Sequence, residues 1–107
     1  MRPKDIQLRN QKPGAILGEI AELVEPEAER KGIEMRVSIE EDLPQVLMDK
    51  RHIKQALLNL IQNAMAAMPE GGTLTLTAEH TDDEVRLSVA DTGTGIPEEL
   101  LTKIFEP

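Results

Sequence analysis

The chain has 107 residues, with 20 acidic and 12 basic side chains and a net charge of −8. That balance excludes a non-specific nucleic-acid binder, which needs a basic footprint. With no cysteine there is neither a disulfide framework nor a thiolate metal site, and His52 and His80 are too isolated to suggest zinc. No apolar run approaches the roughly 18 residues of a membrane span and no signal-peptide pattern opens the chain, so a cytoplasmic location and no membrane contact are expected. Phe105 is the only aromatic residue, which leaves the core to aliphatic side chains and methionine.

Residues 1–14 read as a connector with a short strand around Ile6 and Leu8, closed by a Pro13-Gly14 break. From Ala15 to Lys31, Ile16, Ile20, Leu23, Val24 and Ala28 recur at helical spacing, and Gly32 supplies the stop. Residues 33–39 alternate Ile33, Met35, Val37 and Ile39 against Glu34, Arg36 and Ser38, the pattern of a half-buried strand. An acidic turn and a brief extended run ending at Asp49 lead to the longest helical pattern, Lys50 to Met68, which Pro69 and Gly71-Gly72 end. Two alternating runs around Thr81-Asp82-Asp83 predict a β-hairpin. After "DTGTGIP", residues 91–97, Pro97-Glu98-Glu99 predicts the first turn of another helix. The order predicts a two-layer α/β sandwich with a mixed sheet and helices on one face.

On the long helix Leu57, Leu60, Ile61, Ala64 and Met68 fall on one side and read as core. Gln55, Asn59 and Asn63 stack along the opposite side, with His52 and Ala66. A plain solvent-facing stripe would explain them. Asparagine, however, is a mediocre helix former, and its side-chain carbonyl is a neutral hard ligand suited to Mg²⁺. The loop "DTGTGIP" also has a purely structural explanation as a strand end, a tight turn and a proline-led helix start. It lacks the Lys-Ser/Thr ending of a P-loop, and glycines stand where a calcium loop needs acids. The pairing of an asparagine-striped helix with an aspartate-glycine loop, in that order, favours a functional reading.

"QALLNLIQNAMAAMPEGG" resembles the N box of sensor histidine kinases, "VADTGTGIP" their first glycine box, and "KIFEP" the start of their phenylalanine box. "DLPQVLMDKRHIKQALLNL" fits the approach to that N box, and "GAILGEIAELVEPEAERKGIEM" the preceding helix and strand, so the resemblance covers essentially the whole chain. The nearest flavour is the "NAxxAMPEGG" subgroup, which includes nitrogen-regulation-type kinases. The resemblance implies the nucleotide-binding α/β sandwich shared with gyrase, heat-shock protein 90 and the mismatch-repair ATPases. Residues 15–107 would form its ATP-binding domain, with the N box at about 50–68, the first glycine box at 91–97 and the phenylalanine box beginning at 103–107. The last helix and strands of the family's domain would be missing.

By position, the resemblance makes Asp91 the acceptor for the adenine amino group and Asn63 the ligand of a phosphate-bridging Mg²⁺, with Asn59 beside it. Gly93 and Gly95 would let the backbone approach the nucleotide, and Ile96 would line the adenine pocket. Gyrase-type ATPases place a water-activating glutamate one turn before the metal asparagine. Asn59 at that position cannot act as a base, so the resemblance implies a kinase that holds Mg-ATP for transfer to a histidine elsewhere. Neither His52 nor His80 lies in a phospho-acceptor context, so this chain carries no catalytic residue of its own and both histidines are expected to be ordinary surface residues. Ala66 stands where many members have a phosphate-touching basic residue. The implied partners are ATP or ADP, the histidine-bearing dimerisation domain of a parent kinase that can be membrane-anchored, and, through it, a response regulator. The alternative is a non-catalytic module of the same fold without useful nucleotide binding. An apolar face left uncovered by the missing elements predicts self-association, as a homodimer or a swapped oligomer.

Overall fold

The structure is a computed structural model that describes residues 6–95 and 97–103. Among the described residues eight elements follow in order: β1 (Arg9–Gln11), α1 (Pro13–Arg30), β2 (Ile33–Ile39), β3 (Val46–Met48), α2 (Lys50–Ala66), β4 (Gly72–His80), β5 (Glu84–Asp91) and β6 (Glu98–Lys103). They build a four-stranded sheet, β2-β4-β5-β6, and a separate ribbon, β1-β3. β2 runs parallel to β4, whereas β4-β5 and β5-β6 are antiparallel, which makes the main sheet mixed as expected. The two helices pack together on one face of it.

α1 forms because Ile16, Leu17, Ile20, Ala21, Val24 and Ala28 make a continuous buried stripe at helical spacing. It begins two residues earlier than the sequence predicts. Pro13 is no break but the first helical residue, where its missing N–H costs nothing and its φ is already helical. Pro26 lies inside the helix, tolerated between the buried anchors Val24 and Ala28. Gly32, at φ +71°, ends the helix in the left-handed region, and its N–H donates to the Glu29 carbonyl.

The core is the layer between helices and sheet. Leu17, Leu57 and Ile61 from the helices meet Leu74, Leu76, Val85 and Leu87 from the sheet, all essentially inaccessible to water. Burying each large aliphatic side chain stabilises the fold by about 1.5–3 kcal/mol. On α2, Leu57, Ile61, Ala64 and Met68 are buried as expected, but Leu60 is only half-buried and Met65 takes a core place instead. β4 and β5 send Leu74, Leu76, Ala78, Val85, Leu87 and Val89 towards the helices. Their connecting turn is held by Thr81, whose N–H donates to the Glu84 carbonyl and whose Oγ1 accepts from the N–H groups of Asp83 and Glu84.

Two sequence-based expectations are corrected. The first strand lies at Arg9–Gln11, not around Ile6 and Leu8, which are exposed. The segment after the glycine loop is not a helix: Glu98–Lys103 forms β6 against β5, with Leu100 opposite Leu87. Tertiary context explains this. A strand here covers the open edge of β5, tucks Leu100 against the core, and brings Glu99 Oε2 within 3.3 Å of Arg86 Nε. The first helical turn that the sequence suggests would do none of these. Ile96 and residues 104–107, which include Phe105, lie outside the described residues.

Candidate nucleotide site

The site is built where the end of α2 meets the loop after β5. Asp49 starts α2. Its Oδ1 caps the helix by accepting from the Arg51 N–H at 3.0 Å, and its Oδ2 accepts from the Gln7 N–H at 2.8 Å, which ties the incoming chain to the helix start. The Gln7 hydrogen bond, more than any other cause, holds the Asp49 carboxyl below the usual aspartate range, against the opposing effect of its burial. Glu19 of α1 reaches across to Lys54 at 2.9 Å and Lys50 at 3.5 Å, fixing the helices side by side. The Lys54 hydrogen bond, followed by the Lys50 charge, lowers its pKa.

With α2 oriented in this way, Gln55, Asn59 and Asn63 are all exposed on the side opposite the core, together with His52 and Ala66. Gln55 Nε2 donates to Asn59 Oδ1 at 3.3 Å, so adjacent members of the stripe touch. The stripe therefore presents neutral oxygen and amide groups to its surroundings, a donor set compatible with Mg²⁺ that keeps most of its own waters.

Asp91 ends β5, opposite Leu74 in the ladder, and is half-buried. Its Oδ1 accepts from the Thr94 N–H at 2.6 Å and the Thr94 hydroxyl at 3.1 Å, while its main-chain carbonyl accepts from the Gly95 N–H at 3.3 Å. These bonds close the loop into an Asx-type turn and hold the carboxylate in place. Gly95 occupies the left-handed region at φ +74°, which glycine adopts without strain.

Gly93 has a different reason to be glycine. A Cβ built there would lie 2.2 Å from the Ala67 carbonyl oxygen and 2.8 Å from its carbon. The loop thus rests directly on the last turn of α2, where the Ala67 N–H donates to the Asn63 carbonyl. Thr92 reinforces the contact: its Oγ1 accepts from the Thr73 N–H at 3.1 Å and lies 3.5 Å from Met68 Sδ. The loop that follows Asp91 is consequently seated on the end of the helix that carries Asn63, 28 positions earlier in the sequence. Of the residues expected at the site, Asn59 and Asn63 lie exposed on α2, and Asp91, Gly93 and Gly95 lie at the end of β5 and in the loop that meets the end of that helix, while Ile96 lies outside the described residues.

Sequence reasoning weighed Thr92 and Thr94 only as oxygen donors and missed that they lock the loop, and it missed the cap at Asp49. Thr and Asp beside glycines are the local signal for such turns. His52 is exposed as expected, but His80 is only partly so, with its Nδ1 2.7 Å from Glu40 Oε1 at the far end of the sheet. Among the described residues no cluster of three or more metal-binding side chains is present, and no helix is long and apolar enough to cross a membrane.

Known proteins of similar sequence and structure share this fold. Residues 48–107 match the family described as histidine kinase-, DNA gyrase B-, and HSP90-like ATPase. Sporulation kinase A of Bacillus subtilis (strain 168) is 39% identical over 92 residues, which covers 86% of this chain and 15% of that protein. The adaptive-response sensory kinase SasA of Parasynechococcus marenigrum (strain WH8102) is 45% identical over 76 residues, 70% of this chain and 20% of that protein. The chain therefore spans only a minor part of the curated relatives it matches. Among solved structures, the catalytic domain of the histidine kinase ThkA superposes with a TM-score of 0.77 at 30% identity, over 86% of this chain and 63% of that one. Full-length ShkA in complex with AMPPNP superposes with a TM-score of 0.75 at 39% identity, over 82% and 19%. The chain belongs to the histidine kinase-, DNA gyrase B-, and HSP90-like ATPase family and carries the ATP-binding fold of its histidine kinases.

Proposed function

We propose that this chain is the part of a two-component sensor kinase that holds Mg-ATP for phosphoryl transfer to a histidine outside it. The observation that carries the reading is the contact of Gly93 with the Ala67 carbonyl. It seats the loop that follows Asp91 on the end of the helix that carries Asn59 and Asn63, which supports one nucleotide meeting both. Asp91 then reads the adenine amino group through the accepting capacity that its bonds to Thr94 leave, and a base lacking that donor leaves this capacity of a half-buried carboxylate unmet. Asn63, with Asn59 beside it, is the group that would hold Mg²⁺, which when bound neutralises phosphate charge. Asn59 has no basic site with which to activate water, so the stored phosphoryl group is kept from hydrolysis. The similar structures of ShkA in complex with AMPPNP and of ThkA in complex with the response regulator TrrA support ATP as the ligand and a response regulator as the downstream partner.

The test is a calorimetric titration of Mg-ADP into this chain and into its parent protein, repeated on Asp91→Asn and Asn63→Ala. Asp91→Asn is expected to weaken binding at least about tenfold, because the amide presents only one acceptor in place of a charged carboxylate. Asn63→Ala should weaken binding with Mg²⁺ present and change little in EDTA. Equal affinity of the parent and its Asp91→Asn variant would refute the assignment.

A further inference from the structure

The geometry points to a second copy of this chain as the partner of the outer edge of β2, pairing antiparallel across a two-fold axis at Met35 with no element exchanged. β2 is the end strand of the sheet, and among the described residues no strand pairs with its outer side. The Gly32 carbonyl accepts from the Gly72 N–H, and the Glu40 N–H donates to the Ala78 carbonyl. In a parallel ladder this assigns the main-chain groups of Glu34, Arg36 and Ser38 to β4. Those of Ile33, Met35, Val37 and Ile39 therefore point outward along a seven-residue edge. Val37 and Ile39 are also 44% and 40% exposed, so the edge offers apolar surface as well as open hydrogen-bonding groups.

The side chains select one register. Glu34 and Arg36 stand on the face away from the helices, already paired at 3.0 Å within the strand. Centring the two-fold on Met35 sets Glu34 of each copy opposite Arg36 of the other, and Ile33 opposite Val37. The outward-pointing residues then form the hydrogen-bonded pairs and the charged ones the close, non-hydrogen-bonded pairs. Sliding the copies by two residues in either direction opposes Arg36 to Arg36 or Glu34 to Glu34, and a slide of one residue reverses the faces. The contact is isologous, so it closes at two copies and continues the sheet with all helices on one face.

Sedimentation velocity over a concentration series tests this. Wild type should show a concentration-dependent dimer. Glu34→Arg and Arg36→Glu should each weaken it by about tenfold, since each sets like charges opposite one another twice. An equimolar mixture of the two variants should recover dimer, because the basic pair on one copy then faces the acidic pair on the other. Val37→Pro removes a donor that points outward only, and should yield monomer with an unchanged circular dichroism spectrum. A wild type that stays monomeric at its highest soluble concentration overturns the proposal, as does a folded Val37→Pro variant that still dimerises. Failure of the two charge variants, each folded, to form dimer on mixing overturns it too.

Discussion

Replacing Gly93 by alanine is the sharpest probe of how the site is assembled. The new Cβ would lie 2.2 Å from the Ala67 carbonyl oxygen, 2.8 Å from its carbon and 3.1 Å from its Cβ, and two of these atoms are backbone. Side chains cannot swing aside to relieve such a contact, so the loop must move off the helix end by about 0.8 Å to reach the 3.0 Å that real Cβ atoms respect. Overpacking of this kind costs about 1–3 kcal/mol, which for a chain of this size lowers Tm by roughly 4–8 °C per kcal/mol. The shift also moves Asp91 relative to Asn63, so nucleotide affinity should fall along with stability. Two other glycines calibrate the result. At Gly95 a Cβ meets nothing within 4 Å but the φ of +74° is unfavourable, so Gly95→Ala should cost only about 1–2 kcal/mol. At Gly18, inside α1 with open space around it, alanine should stabilise by about 0.5–1 kcal/mol. Urea denaturation followed by circular dichroism ranks the three variants. A Gly93→Ala protein as stable as wild type would refute the close packing of loop on helix.

Asp49 predicts a distinct acid response. Its folded-state pKa is depressed, so its contribution is fully present above the unfolded value of about 3.9 and is lost as pH falls through the lower folded value. Urea midpoints measured down through that window should fall less steeply for Asp49→Asn than for wild type, and an unchanged slope would remove the Gln7 and Arg51 bonds from the account. Pro26→Ala should stabilise α1 by about 1–3 kcal/mol, read as a rise in the urea midpoint, because it restores a donor to the helix interior. Leu57→Ala removes a side chain that is completely buried between the layers and should cost about 2.7–5 kcal/mol in the same assay.

Much of this protein is legible in its sequence because the signals are local. The 3.6-residue recurrence of Ile16, Ile20, Val24 and Ala28, the alternation on either side of Thr81-Asp82-Asp83, and the stops at Gly32 and Gly71 each act within a few residues. Those elements appear where the pattern places them, apart from shifts of one or two residues at both ends of α1 and at the end of α2, which stops at Ala66 rather than Met68. The site residues are also local: the asparagine stripe follows from helical spacing, and the loop from its own Asp, Thr and Gly. Where local and tertiary preferences conflict, packing decides. Pro97-Glu98-Glu99 carries a helix-start signal, but the open edge of β5, the core contact of Leu100 and the Arg86–Glu99 pair make the segment a strand. Leu60 and Met65 share a helix with the core residues, and only the position of the sheet determines that methionine is buried and leucine half-exposed.

The sequence alone thus determined which elements carry the candidate site residues, since period, caps and glycine chemistry are properties of a few consecutive residues, whereas their nucleotide roles are implied only by the family resemblance. Only the tertiary structure decided that Gly93 rests on the Ala67 carbonyl, which seats the loop after β5 on the end of α2, and that no strand among the described residues pairs with the outer edge of β2. Both are long-range consequences of how the helix layer seats on the sheet, and no window of neighbouring residues encodes them.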